Sequence, residues 1–127
     1  MPPIKDQIQK LTKKAKKDKD ILAVILFGSY VRDEASRDID VCLVVAPSRE
    51  ETVNLAKKGL EYIGKFDLDI HTYQELPLYI QIRVLKEGKV LLCKDEDALY
   101  DISIKTSRYF EDYYPRYRAY LESVALG

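Results

Sequence analysis

Two almost wholly apolar runs, ILAVILF at 21–27 and DVCLVVA at 40–46, are separated by a short polar segment. Both read as buried strands. The first ends in Gly28-Ser29, and the second opens through Asp38-Ile39-Asp40. Two carboxylates two residues apart on a strand point to the same face, which makes a seat for a divalent metal ion. A Gly-Ser turn behind a strand offers backbone N–H groups and a hydroxyl to phosphate. A metal seat facing a phosphate cradle points to nucleotide chemistry.

The rest of the chain supplies the elements that would surround such a pair of strands. Residues 4–17 read as a helix, with Ile4, Ile8, Leu11 and Ala15 at helical spacing. The lysines at 13, 14, 16, 17 and 19 read as the solvated cationic end of that helix rather than a phosphate-binding patch. Ser48 is expected to cap a helix running to about Ile63, with Gly64 stopping it. Residues 65–73 alternate strictly: Phe66, Leu68, Ile70 and Thr72 on one face, Asp67, Asp69, His71 and Tyr73 on the other. That is a strand with a charged face. Pro77 starts a helix through Lys86, KVLLC at 89–93 is a short strand, and Asp95 caps a long helix beginning near Asp97. Pro115 is expected to break or kink this helix near Tyr114. The order α-β-β-α-β-α-β-α predicts an α/β (α+β) fold, a small mixed sheet flanked by helices. One domain over 1–127 is expected, with a C-terminal helical extension from about residue 95.

If the second and third strands lie side by side, Asp38 and Asp40 meet Asp67 and Asp69. Clustered carboxylates repel, and such a cluster usually means cation binding. Hard oxygen donors without a Cys/His set favour Mg2+ or Mn2+ over zinc. Two such ions about 3.5–4 Å apart stabilise both attacking and leaving oxygens in a phosphoryl displacement. Lys plus Arg and Asp plus Glu both number 21, so no net field draws the chain to nucleic acid or membrane. No apolar stretch reaches the roughly 20 residues of a membrane span. The N-terminus lacks the apolar core of a secretion signal. Cys42 and Cys93 sit in apolar runs as small hydrophobes, so a reducing, cytoplasmic setting is expected.

The order of hydrophobic strand, Gly28-Ser29, loop, Asp38-Ile39-Asp40, strand, helix and a strand carrying Asp69 resembles the DNA polymerase β-like nucleotidyltransferase superfamily. Within it the chain is similar to the minimal nucleotidyltransferases, MNT, and in particular to antitoxins that pair with HEPN toxins. The segment DIHTYQELPLYIQIRVLKEGKVLLCKDEDAL carries that likeness, with Glu75 and Pro77 following Asp69 at the family's distances. The resemblance implies that Gly28 and Ser29 bind the nucleotide triphosphate and that Arg32 contacts phosphate. It implies that Asp38, Asp40 and Asp69 hold the metals, with Asp69 helping to deprotonate the acceptor hydroxyl. Asp67 is the competing third carboxylate, and the spacing to Glu75 and Pro77 favours Asp69. The loop from Gly-Ser to the aspartates is about two residues shorter than the resemblance leads one to expect. Asp33 and Arg37 stand where glycine and serine are frequent.

The implied function is Mg2+-dependent (or Mn2+-dependent) transfer of AMP from ATP to a tyrosine hydroxyl of a HEPN ribonuclease toxin. The alternative is a catalytically weak or inactive MNT-fold protein that neutralises its partner by binding. Transfer to a small molecule such as an aminoglycoside is disfavoured, because the chain looks too short for an extra substrate domain. His71 is read as a hydrogen-bonded structural residue before a nucleotide contact or proton carrier. Tyr109, Tyr113, Tyr117 and Tyr120 form a stripe flanked by Arg108, Arg116 and Arg118. It is read first as core-facing. The second reading is a partner or oligomer interface, since Tyr and Arg are enriched at binding hot spots.

Overall fold

The computed structural model describes residues 4–28, 39–66 and 68–126. In chain order these form α1 (Ile4–Lys17), β1 (Ile21–Phe27), β2 (Asp40–Val45) and a 3-10 turn at Pro47–Arg49. Then come α2 (Leu55–Leu60), β3 (Asp69–Thr72), a second 3-10 turn at Tyr73–Glu75, α3 (Leu78–Glu87), β4 (Lys89–Cys93) and α4 (Glu96–Leu126). The strands make one four-stranded sheet in the order β3-β2-β1-β4. β1 runs antiparallel to β2 and β4, whereas β2 and β3 are parallel. This is the mixed α/β arrangement that the sequence pattern predicts.

The unbroken apolar character of β1 and β2 has a direct cause: both faces of the sheet are covered. Val24, Leu26, Val41, Leu43 and Val45 pack with Leu11 and Ala15 of α1 and with Tyr62 beyond α2. Ile25, Cys42 and Val44 pack on the other side with Val84 and Leu85 of α3 and with Ala98, Leu99 and Ile102 of α4. A register shift between Ile21 and Ala23 puts Leu22 and Ala23 both on this second side. Burying a Val, Leu or Ile side chain contributes about 1.5–3 kcal/mol, so β1 and β2 anchor both layers.

Four local expectations are corrected. The helix expected from Ser48 to Ile63 is confined to Leu55–Leu60, because Asn54 accepts from the Lys57 amide and starts it there. Pro47–Arg49 forms a separate 3-10 turn, and Gly64, at φ +90°, lies in the turn that follows α2. The strand expected over 65–73 is shortened to Asp69–Thr72. Tyr73 leaves it in a 3-10 turn and is buried, its hydroxyl on Thr106 of α4. α4 is not broken at Tyr114 but runs through Pro115 as one element. Proline removes a single i→i−4 bond there, and the turns on either side keep theirs. Finally, the tyrosine stripe does not face the core: Tyr109 and Tyr113 are 56% and 52% exposed. Ile102 and Thr106 supply the contacts instead. The side chains of Tyr117 and Tyr120 lie outside the described residues. Asp95 caps α4 as expected, accepting from Ala98 N–H.

A charged network closes the end of the sheet where β1 begins. Lys58 is 7% exposed. Its ammonium lies 3.1 Å from Asp18, 2.9 Å from Asp20 and 2.9 Å from Glu61. The Tyr62 hydroxyl donates to Asp18, and Arg49 donates to Asp20. Burial works to lower the Lys58 pKa, but the three carboxylates outweigh it and raise it. Among the described residues, no buried side-chain polar atom lacks a hydrogen-bond partner. No helix among them is long and apolar enough to cross a membrane.

Candidate active site

The opposite end of the sheet, where β1 finishes, brings the described candidate residues together. Phe27 is paired with Asp40 across the antiparallel β1–β2 ladder, so Gly28 lies beside the first residue of β2. Gly28 has φ +90°, a conformation that side-chain-bearing residues rarely adopt. A β-carbon at residue 28 would stand 2.4 Å from Asp40 Oδ2. The bend thus favours glycine, and a side chain at this position would have to displace the carboxylate beside it.

Parallel pairing of β2 with β3 sets Asp40 opposite Asp69 and Cys42 opposite His71. The strands are about 4.8 Å apart. Odd-numbered residues of β2 point to the α1 side, so Asp40 belongs to the other face, with Asp69 and His71. His71 Nε2 lies 3.1 Å from Asp40 Oδ1, and its ring packs 5.5 Å from that of Phe27. The Asp40 and His71 side chains are 26% and 37% exposed, and Asp69 is exposed. Two carboxylates on adjacent strands with like orientation form a hard oxygen donor pair that suits Mg2+ or Mn2+. Among the described residues no three such groups converge into a complete ligand set.

Ser29, Arg32, Asp38 and Asp67 lie outside the described residues. Of the sequence-derived candidates, Gly28, Asp40 and Asp69 are thus placed, and they are neighbours. The His71–Asp40 contact is what the sequence reading did not supply. Its signal was the shared parity of residues 69 and 71 on one strand. Two cavities, of about 450 and 380 Å3, lie under α4 and share none of these residues.

The family model for "Polymerase beta, Nucleotidyltransferase" matches residues 9–97, which spans this whole assembly from α1 to the start of α4. The chain belongs to the polymerase-beta nucleotidyltransferase family. A curated relative from Methanocaldococcus jannaschii, named "Putative protein adenylyltransferase", is 33% identical over 100 residues, 77% of this chain and 76% of its own. Among solved structures, a chain of a toxin–antitoxin crystallised with AMP-PNP matches this nucleotidyltransferase with TM-score 0.69 at 20% identity. The match covers 94% of this chain and 97% of that one. A chain from the complex of tri-AMPylated Shewanella oneidensis HEPN toxin with MNT antitoxin matches with TM-score 0.66 at 19% identity, over 94% of each chain. The likeness to these two structures is one of fold.

Proposed function

We propose that this nucleotidyltransferase transfers AMP from ATP to a tyrosine hydroxyl of a HEPN ribonuclease toxin and so acts as its antitoxin. The observation that carries the reading is the β2–β3 register, which sets Asp40 against Asp69 beside a glycine in the left-handed region. The names of the relatives give the direction: adenylyl transfer to protein for one, an AMPylated toxin bound to an antitoxin for another.

In this reading Gly28 and Ser29 bind the triphosphate, and Arg32 contacts a phosphate. Asp38, Asp40 and Asp69 would hold Mg2+ or Mn2+, which when bound supplies charge stabilisation for the phosphoryl oxygens. The tyrosine hydroxyl attacks the α-phosphorus in line. A bond forms from its oxygen to the α-phosphorus as the bond from that phosphorus to the bridging oxygen breaks, and pyrophosphate leaves. Asp69, the more exposed carboxylate, takes the hydroxyl proton. The chain works as one domain, with α4 as its extension, in the cytoplasm. The free thiols Cys42 and Cys93 suit a reducing compartment.

The test is to incubate the purified chain, labelled ATP, Mg2+ and a HEPN protein from the same source organism. Label on the toxin that disappears in the Asp38→Ala, Asp40→Ala double variant is the expected result. Equal labelling by wild type and double variant, or none by either, would overturn enzymatic action. A second reading, neutralisation by binding, is favoured by the exposed Tyr109, Tyr113 and Tyr114 of α4. It predicts that Asp40→Asn still protects against the toxin.

A further inference from the structure

His71 is the chain's one histidine, and it touches the carboxylate on which the site turns. A carboxylate oxygen only accepts, so at 3.1 Å the ring donates Nε2–H to Asp40 Oδ1. The ring is held in its turn. Its backbone is paired with Cys42 in the parallel ladder, and its face meets Phe27 at the end of β1. The Asp40 backbone is paired with Phe27 and Asp69, but its carboxylate stands at the open end of β2 and is 26% exposed. Left alone, its carboxylate would rotate, and the like charge of Asp69 across the ladder would drive it aside.

Resting on the reading above, we propose that His71 is a positioning residue. It pins Asp40 by Oδ1 and thereby fixes Oδ2 on the Gly28 side, where a divalent cation and the triphosphate would meet. Two observations on either side of the carboxylate agree. Oδ1 has a donor, and Oδ2 occupies the space that a β-carbon at residue 28 would take. The exposure of both side chains argues against a role in holding the fold. A hydrogen bond between groups 37% and 26% exposed contributes little to stability, whereas its direction still decides where the second oxygen points. Partners that orient a metal's ligands typically change its affinity by about 10–100-fold when removed.

The experiment is Mn2+ binding followed by electron paramagnetic resonance, with Mn2+ alone as the probe. The variants are His71→Phe, His71→Gln and the Asp40→Asn, Asp69→Asn pair, with a melting curve for each. Phe keeps a ring against Phe27 but donates nothing, so binding should weaken by ~10–100-fold at unchanged melting temperature. Gln presents an amide N–H in the same direction and should recover binding to within a few-fold of wild type. Wild-type affinity in His71→Phe, with binding lost in the aspartate pair, would overturn the positioning role and leave the proposed activity standing. Equal losses in Phe and Gln would overturn it as well, since the donor would then be irrelevant. Wild type binding no tighter than the aspartate pair would sink the metal reading and this role with it.

Discussion

Where β1 begins, Asp18 and Asp20 each have cationic or hydroxyl partners, and Lys58 is enclosed among them. Where β1 ends, Asp40 and Asp69 lie on adjacent strands with like charge, and Asp40 meets a histidine. The same residue type is used in opposite ways across one sheet. At the first end the charges are matched and serve the fold. At the second, two like charges share one face of neighbouring strands, an arrangement that a bound cation would favour. An arrangement of that kind fits the site proposed above, because a folded chain retains like charges together where something else is gained.

The largest effects should come from exchanging the two ends' roles. Asp40→Asn is expected to reduce adenylyl transfer by at least ~100-fold, as loss of a group that stabilises transition-state charge does. Its urea midpoint should match or exceed that of wild type, because one of two like charges on neighbouring strands is removed. Lys58→Met should do the reverse. It leaves Asp18 and Asp20 without their shared cation and should cost about 3 kcal/mol in urea unfolding. Mn2+ binding at the far end should be retained under native conditions. If Lys58→Met abolished binding in the folded protein, or Asp40→Asn unfolded it, the division between the ends would be wrong.

Gly28→Ala comes next and should damage both properties. The strained φ and the 2.4 Å approach to Asp40 Oδ2 predict a loss of roughly 1–3 kcal/mol together with weakened Mn2+ binding. An alanine variant with wild-type binding would show that the carboxylate has room to move.

Acid should act mainly on the closed end. Burial works to raise the Asp18 carboxyl, but the Asp20 amide, the Tyr62 hydroxyl and Lys58 outweigh it and hold it below its ordinary 3.8. Hydrogen bonds from Lys58 and Arg49 lower Asp20. A lowered folded-state value means that the contribution is complete above the unfolded value and is lost as pH falls through the folded one. The urea midpoint should therefore be flat above about pH 5 and fall below about pH 4, with a shallower fall in Lys58→Met. The smallest effect on stability is expected from Tyr109→Ala on α4, within about 0.5 kcal/mol. A loss of toxin protection in that variant, with labelling activity intact, would move the balance toward neutralisation by binding.

How much of this was legible in the residues follows the range of the forces involved. β1, β2, α1, α3 and β4 are set by local apolar pattern and by Pro77 and Gly88 as punctuation, so the chain states them directly. Asp40 and Asp69 were legible as candidates because strand parity puts each on a definite face. Their meeting needed only that the second and third strands be neighbours. Ser48 misled because its capping chemistry is shared with Asn54, and the choice between them depends on where Leu55 and Tyr62 can reach the core. The tyrosine stripe misled for a related reason. Its spacing shows that the residues share a face, but which face of α4 meets the sheet is decided by Ile102 and by Thr106 meeting Tyr73. The Lys58 network was invisible, since Asp18, Lys58 and Glu61 come from turns and helix ends with no periodicity between them.

β3 has four residues and a single hydrogen-bonded neighbour in the sheet, β2. Antiparallel strands pair early and locally, whereas a parallel partner must return over a long excursion of chain before any contact rewards it. On this topology Asp69 is expected to join Asp40 after β1 and β2 have paired, so the two carboxylates of the proposed site would meet late. The same short strand is the first candidate for fraying in the finished protein. Amide hydrogen exchange at Ile70 and His71 would then report how often the machinery comes apart without the molecule unfolding.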